Sequence, residues 1–600
     1  MKPILTLIFL TAVAQAWQPV ADSMLTEWGA QVTPDTAWCE YPRPMMQRNE
    51  WTNLNGLWDY AVTPKTRTEN PDKWDGQILV PFAIESALSG VKKPFTPDSA
   101  LWYRRSLEIT PKPGKRYLLN FEAVDYQSSV WVNGKKVGAH SGGNLPFSFD
   151  VTKTLQSGTN MLLVRVTDAT DTAWQLHGKQ MPKPHGIFYT AVSGIWQTAW
   201  LEEVPELHIR NLKITPKIDG TVAIAIDIEG PTDKTTSAKV TASLGGSKIA
   251  ETSGSPDRLT LKIPDPKLWS PNSPTLYDLS ITLGEDTVTS FVGLRETTIG
   301  KDADGNPRFY LNGKEVFHFG PLDQGWWPDG LLTPPSQAAM CSDLDFLKAA
   351  GFNMLRKHIK IEPRRYYHHC DKIGLLVWQD QVSAYGKTQN PPWTRLKANP
   401  VNAEWPDDAH QQFMDELKGM VDTLHNHPSI VQWVPFNEAW GQHRTMEVGK
   451  WAVAYDPSRQ INIASGGNFW PVGHIVDAHD YPHPTFPFDQ GKDGRFEGFV
   501  KVVGEFGGHG FPVEGHLWNS KARNWGYGGL PKDKEEWLDR YKTSIHKLAD
   551  LKKQGIAAGI YTQTTDVEGE INGLITYDRK VRKVSAETLA DIHRAAHLLE

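Results

Sequence analysis

The segment Ile430-Val431-Gln432-Trp433-Val434-Pro435-Phe436-Asn437-Glu438 is an apolar run of strand length that stops on an amide and a carboxylic acid. A run apolar on both faces predicts a strand buried on both faces, and a polar stop at its C-terminal end is where a (β/α)8 barrel carries its chemistry. A second short run, Lys501-Val502-Val503-Gly504, stops in the same way on Glu505, followed by Phe506-Gly507-Gly508. Acids at two strand ends suit a reaction that needs paired carboxylates, and cleavage of a glycosidic bond is the leading case.

Outward from these runs, residues 301–600 alternate between strand and helix patterns. The expected strands are Glu315 to Phe319, Asn353 to Lys357, Leu375 to Gln379, Ile430 to Phe436, Gln460 to Ala464, His474 to Ala478, Phe499 to Gly504 and Gly559 to Gln563. Helices are expected over Ser342 to Ala350, Pro363 to Ile373, Asp407 to Leu424, Lys534 to Lys553 and Ala586 to Leu599. Eight strand-helix units predict a C-terminal TIM barrel in which Glu438 closes strand four and Glu505 strand seven.

Residues 17–205 read differently. Short apolar or alternating runs are broken by Gly, Pro and Asn, and Ser129-Val130-Trp131-Val132-Asn133-Gly134-Lys135-Lys136-Val137-Gly138 is a hairpin with an Asn-Gly turn. Many such strands without helical periodicity predict a β-sandwich of the jelly-roll kind. Its long loop offers Trp174 and His185 as side chains that could reach the barrel. Over 206–300, Val222, Ile224, Ile226 and Ile228 alternate with smaller or polar residues, and Val240, Ala242 and Leu244 repeat the period, so a second β-sandwich is expected.

Six hundred residues exceed one hydrophobic core, and a hydrophobic share of 39% supports folded globular domains. A net charge of −6 offers no basic field for nucleic acid or an anionic membrane, so neither is an expected partner. Lys2, the apolar run Ile4 to Val13 and Ala14-Gln15-Ala16 form a secretory signal pattern over 1–16, with cleavage near Ala16. A secreted or periplasmic protein is expected, and the run is too short to span a membrane. Three cysteines, Cys39, Cys341 and Cys370, are too few and too odd for a disulfide scaffold. His425-Asn426-His427 has no metal-site context, and His368-His369-Cys370 lies in a predicted helix where neighbours point about 100° apart, so the three cannot converge on one ion.

Pro428-Ser429-Ile430-Val431, then Trp433 and Asn437-Glu438, resembles the acid/base signature of glycoside hydrolase family 2, and Gly504-Glu505-Phe506-Gly507 resembles that family's nucleophile segment. Phe121-Glu122-Ala123-Val124-Asp125 and Ser193-Gly194-Ile195-Trp196-Gln197 look like its sugar-binding domain. Leu268-Trp269-Ser270-Pro271 and Gly293-Leu294-Arg295 look like the end of its immunoglobulin-like middle domain. The resemblance implies an N-terminal jelly-roll, an immunoglobulin-like β-sandwich and a catalytic TIM barrel. It implies Glu438 as general acid/base, Glu505 as nucleophile, Asn437 on the sugar 2-hydroxyl, Arg356 orienting the nucleophile and Tyr481 near it. Other predicted strand ends supply further substrate-binding candidates: Asp323 after strand one, His358 after strand two, Trp378 and Asp380 at strand three, His479 after strand six, and Gln563 and Asp566 after strand eight.

The sugar-reading segments depart from the family's subgroups. Arg356-Lys357-His358-Ile359-Lys360 replaces the galactosidases' His-Tyr-Pro run. Glu570-Ile571-Asn572 stands where glucuronidases carry Asn-x-Lys, so a uronic acid substrate is disfavoured. Leu376-Val377-Trp378-Gln379-Asp380 is more like the mannosidases, whose Gly-rich loop is missing. The resemblance thus implies a retaining exo-β-glycosidase acting on a carbohydrate, with β-galactosidase-type activity as first choice and β-mannosidase, arabinosidase or another family activity as alternatives. Double displacement calls for no metal and no cofactor. The reading from another class is a non-catalytic glycan-binding protein; an esterase would need a Gly-x-Ser-x-Gly elbow, which the barrel region lacks.

Overall fold

The computed structural model describes residues 17–383 and 390–599, so the signal segment expected over 1–16 lies outside the described residues. The first module is a sandwich of two antiparallel sheets. One runs in the order Gly76–Val80, Gly56–Pro64, Ser99–Ile109, Gly158–Thr167, Gln127–Val132 and Lys135–Ser141; the other runs Trp51–Asn53, Ala199–Pro205, Lys115–Phe121 and Phe147–Asp150. Alternate side chains of both, among them Trp58, Val130, Val164, Leu119 and Leu201, close over one core. The expected Asn-Gly hairpin forms, with Asn133 at φ +50° and Gly134 at φ +75°, the left-handed pair that a tight turn between twisted strands requires.

The second module pairs a three-stranded sheet, His208–Pro216, Thr221–Glu229 and Leu259–Lys262, with a four-stranded one, Ser247–Gly254, Ala238–Leu244, Tyr277–Leu283 and Asp286–Val292. Val222, Ile224, Ile226, Val240 and Ala242 all face its core, as their period predicts. It docks on the barrel underside through the His425-Asn426-His427 segment. Asn426 Oδ1 accepts from Ile214 N at 2.8 Å and its Nδ2 donates to Leu212 O at 2.8 Å. Arg295 reaches across to the Pro428 and Ile430 carbonyls at 3.1 and 2.7 Å.

The barrel strands are, from one to eight, His318–Asp323, Met354–Lys357, Leu376–Asp380, Ile430–Val434, Gln460–Ile461, Ile475–His479, Val500–Gly507 and Ile556–Thr562. They pair in the spatial order five, four, three, two, one, eight, seven, six. His474 N closes the ring by donating to Ile461 O at 2.9 Å. Strand one begins later than expected, because Lys314–Glu315 pairs back on Pro307–Leu311 as a hairpin. That hairpin seats Phe309 and Leu311 in the barrel floor beside Leu322, Met354, Trp378 and Val431. Pro435 has no N–H to give, so strand four pauses there and resumes as Phe436–Asn437, paired with Ala464–Ser465.

Helices Gln337–Ala349, Arg364–Ile373, Asp407–Leu424, Thr445–Tyr455, Lys534–Lys553 and Ala586–Ala595 surround the strands. Ser336, Asp533 and Ser585 each cap one of them by accepting the N–H three residues on. Among the described residues loops alone join strand five to six and six to seven, where full strand-helix units were expected. No helix among the described residues is long and apolar enough to cross a membrane.

Candidate active site

Strand alternation decides which side chains enter the barrel. On strand two Met354 lies in the interior cluster, and Arg356 follows it inward. Strand three sends Leu376, Trp378 and Asp380 inward at successive heights, and only the last reaches the mouth. On strand seven Val500 and Val502 point inward, so simple alternation would turn Glu505 outward. A register break there instead pairs His479 with Glu505, and the following Phe506 joins the outer core. Such a bulge re-aims a side chain. Gly504 permits it: a Cβ there would stand 2.2 Å from the Asp477 carboxylate, which takes the Gly504 N–H at 2.6 Å. Glu438 is held in the left-handed region at φ +49°, with its N–H on Ser465 O at 2.7 Å. Non-glycine backbone there costs about 1–3 kcal/mol and persists where the surroundings impose it, which is common at functional sites.

Arg356 is fully buried and links the mouth. It grips Asp380 with Nε at 3.1 Å and Nη2 at 2.8 Å, donates Nη2 to Asn437 Oδ1 at 2.8 Å and Nη1 to Glu505 Oε1 at 3.0 Å. The other Glu505 oxygen takes the Tyr481 hydroxyl at 2.7 Å. His479 Nδ1 stands 3.1 Å from Glu438 Oε1 and 3.4 Å from Glu505 Oε2. Oxygens of Glu438 and Glu505 and the His479 nitrogen all lie within 4.8 Å of one another.

The two acids sit in unlike surroundings. Burial pushes the Glu505 carboxyl up, but His479, Arg356, Lys179 and the Tyr481 hydroxyl together hold it below the ordinary carboxylate value. The Glu438 side chain is 22% exposed and Glu505 10%. Burial pushes His479 down, but Glu505, Glu438 and Asp477 outweigh it and hold the imidazole above its usual value. The hydrogen bonds agree. Ser465 gives its only proton to Asp477 at 2.5 Å, so toward His479 Nε2 at 2.9 Å it accepts, and Nδ1 faces carboxylates. Both ring nitrogens therefore donate. His358 is held neutral by burial and by Lys179 and Arg356, and donates Nδ1 to Asp380 Oδ2 at 3.0 Å.

The pocket over these groups has a volume of about 60 Å³ and is walled by Glu438, Glu505, Asn437, His358 and Tyr481 together with Trp440, Tyr527, Thr562 and Glu570. Leu322 and Gln324 of the barrel and Lys179 and Ile187 of the N-terminal sandwich complete the wall. Among the described residues, Glu438, His479 and Glu505 are the one set close enough to share a metal ion. Both Glu505 oxygens are already bonded to Arg356 and Tyr481, and a buried guanidinium beside them opposes a second cation.

Comparison with known proteins fits this geometry. The sugar binding domain of glycosyl hydrolases family 2 matches residues 51–205, the family's middle domain residues 207–295, and its TIM barrel domain residues 308–481. The chain belongs to glycosyl hydrolases family 2. Within the family it is 27% identical over 474 residues to a Formosa agariphila protein named "Putative beta-glucuronidase", covering 74% of this chain and 54% of the relative. It is 26% identical over 467 residues to a β-galactosidase of Alteromonas mediterranea, covering 69% and 42%. The chain thus spans about half the length of the curated relatives it matches. A Dictyoglomus thermophilum β-glucuronidase has the same fold, with a TM-score of 0.70 at 18% identity over 92% of this chain and 98% of that one.

In this family 2 barrel the mouth gathers Glu438, Glu505, Asn437, Arg356, His358, Asp380, His479 and Tyr481. Four expected substrate-binding residues stand elsewhere. Trp378 is fully buried in the barrel interior, its indole N–H on His318 Nδ1 at 3.1 Å, one layer below Asp380. Asp323 follows inward Leu322 and so points outward, where it takes Lys357 Nζ at 2.9 Å and the Tyr366 hydroxyl at 2.6 Å. Asp566 is spent on Lys583 at 2.6 Å and on Gly573 N at 2.8 Å. Gln563 bonds Gln324 and Asn572, at 2.7 and 2.6 Å, outside the pocket lining. The long loop of the first module does reach the site, but through Lys179 and Ile187. Trp174 instead packs on Trp405 with ring centres 5.4 Å apart, and His185 on Phe188 at 5.6 Å. Sequence reasoning missed Lys179, Ile187, Leu322, Gln324, Trp440, Tyr527, Thr562 and Glu570 as wall residues. Only Glu570 left a signal, as the acid in the place of the glucuronidase Asn.

Proposed function

We propose that the chain hydrolyses terminal β-linked sugars by double displacement. The observation that carries this reading is the spacing of the acids. Retaining glycosidases hold their two carboxyl groups roughly 5 Å apart, whereas inverting ones need about 6.5–9.5 Å to admit a water; here an oxygen of Glu438 lies within 4.8 Å of an oxygen of Glu505. Glu505, ionised in its cage of donors, attacks the anomeric carbon. Glu438, the more exposed acid, protonates the leaving oxygen and then draws a proton from the water that releases the sugar. Asn437, fixed by Arg356, serves the 2-hydroxyl. The loop bearing Lys179 and Ile187 closes one side of the pocket and favours cleavage from a chain end. β-Galactosidase-type activity remains the first choice among the sugars, and the signal pattern over 1–16 supports export.

The test is hydrolysis of p-nitrophenyl β-glycosides and α-L-arabinosides by wild type, Glu438→Gln and Glu505→Ala, with the first-formed anomer read by NMR. Loss of the general acid is expected to cost about 10²–10⁴-fold in rate. Glu505→Ala should be inactive and regain turnover with azide or formate. An α-anomer as first product from a β-glycoside, or no rescue, overturns the double displacement. Glycan binding without hydrolysis of any substrate would favour the binding-protein reading instead.

A further inference from the structure

Lys179 sits on the pocket wall with its Nζ 5.7 Å from the centre of the Tyr189 ring and 5.7 Å from that of Trp440. Its ammonium makes no ion pair or hydrogen bond among the described residues. The other cations near the acids among the described residues are committed: Arg356 to Asp380 and Glu505, His479 to Glu438 and Glu505. Aromatic faces attract a cation but accept no strong hydrogen bond, so a half-buried lysine beside two rings keeps its three donors for a ligand.

Glu570, on the same wall, is held in place by the Tyr189 hydroxyl on Oε2 and by Asn572 Nδ2 on Oε1 at 2.9 Å. Each oxygen retains a lone pair. Gln324, also on this wall and 2% exposed, gives its amide protons to Tyr189 and Gln563 at 2.7 Å each, and its Oε1 has no partner among the described residues. Buried acceptors of this kind are rare unless something else supplies the donor.

We propose that Lys179, Glu570 and Gln324 form a subsite, shared between the N-terminal sandwich and the barrel, that binds the hydroxyl groups of an uncharged sugar at the non-reducing end and excludes a uronate. The inference rests on the glycosidase reading above and narrows its substrate class. Each sugar hydroxyl donates one proton and accepts through two lone pairs, which matches one cationic donor set facing two acceptors. A uronate brings a carboxylate and fewer donors. It would add a carboxylate to a wall that already carries Glu570, Glu438 and Glu505, and like charges brought together in such a site are disfavoured. The N-terminal sandwich is therefore a source of specificity as well as a scaffold.

The test compares wild type with Lys179→Met, Lys179→Arg and Glu570→Gln on p-nitrophenyl β-D-galactoside and β-D-glucuronide. A charged hydrogen bond to a sugar hydroxyl is worth about ten- to hundredfold in kcat/KM. Lys179→Met should lose that much on the neutral glycoside, with Tm unchanged, and Lys179→Arg should recover part of it. Glu570→Gln should weaken the neutral glycoside and narrow its preference over the glucuronide. Calorimetric binding of galactono-lactone to Glu505→Gln, with and without Lys179→Met, reads the subsite apart from turnover and should show the same loss. Unchanged kcat/KM and unchanged lactone affinity in Lys179→Met overturn the subsite while leaving the glycosidase reading intact. Preferential hydrolysis of the glucuronide that Lys179→Met abolishes also overturns it. If wild type hydrolyses nothing, the glycosidase reading fails, and the lactone affinities decide the subsite alone.

Discussion

Replacing Tyr481 by Phe removes one oxygen from a fully described contact: the hydroxyl that donates to Glu505 Oε2 at 2.7 Å and stands 2.8 Å from Thr562 Oγ1. The ring stays, because it stacks on Tyr527 with centres 3.7 Å apart. A hydrogen bond to an ionised partner is worth about 1.5–3 kcal/mol. This one favours ionised over protonated Glu505, so its loss must raise the carboxyl's folded-state pKa. The sign follows. A nucleophile that must be ionised loses activity as pH falls through its pKa, so the acidic limb of kcat/KM moves to higher pH in Tyr481→Phe. On the alkaline plateau both enzymes hold Glu505 ionised, and their ratio approaches one apart from any direct contact with sugar. Below both limbs the ratio grows to the full worth of the bond, about 10- to 150-fold. The assay is kcat/KM against pH on the best p-nitrophenyl glycoside, both variants in one buffer series. A loss of the same factor at every pH refutes the argument, because it would mean that the hydroxyl acts on the transition state without tuning Glu505.

Two further predictions test placement and stability. Trp378→Phe leaves His318 Nδ1 without its partner and opens a gap in a layer that also holds Phe309; unfolding free energy should fall by about 1–3 kcal/mol with KM unchanged. A raised KM at unchanged Tm would return Trp378 to the sugar site. Glu202 is fully buried among Arg43, Arg48, Tyr41 and the Trp200 indole, whose pull outweighs burial and lowers its carboxyl from 4.5 to about 2. Because the folded value is depressed, this stabilisation is complete above the unfolded value and is lost as pH falls toward 2, a span worth about 3 kcal/mol. Urea unfolding of Glu202→Gln should show its deficit at pH 7 and little at pH 2.5, and equal deficits at both would refute the assignment.

The barrel was legible because a strand covered on both faces writes itself as an uninterrupted apolar run, and Ile430 to Phe436 is such a run. What lies at the end of a run was less legible. Trp378 and Asp380 occupy the same face of one strand, and only their height along it makes one core and the other site. Asp323 differs from them by parity: Leu322 takes the inward place, and the acid turns to Lys357. Glu505 reaches the pocket through a bulge whose cause, the Asp477 carboxylate against Gly504, lies in a different strand. The Gly-Glu-Phe-Gly resemblance found the residue, whereas alternation would have sent it the wrong way. Lys179 left no local trace, since its position depends on where a sandwich loop lands on a barrel far along the chain. The loops after strands five and six carry no helical period, and their units were counted from the strands alone.

The site makes two identical side chains unlike by unequal supply of donors. Glu505 receives Arg356, Tyr481 and His479; among the described residues Glu438 receives the His479 side chain alone, and it stands more open to solvent. Arg356 maintains the difference, because Asp380 and Asn437 hold it from two other strands and it cannot swing from one acid to the other. A buried guanidinium is costly to desolvate, and the gain from its pairs repays this only while all of them persist. Weakening any one partner therefore disturbs the others. Asp380 touches no reacting atom, yet through Arg356 it helps keep Glu505 ionised. The same bond network fixes Asn437, so Asn437 and Glu505 are positioned by one residue, and the difference between the two acids is built into the second barrel strand.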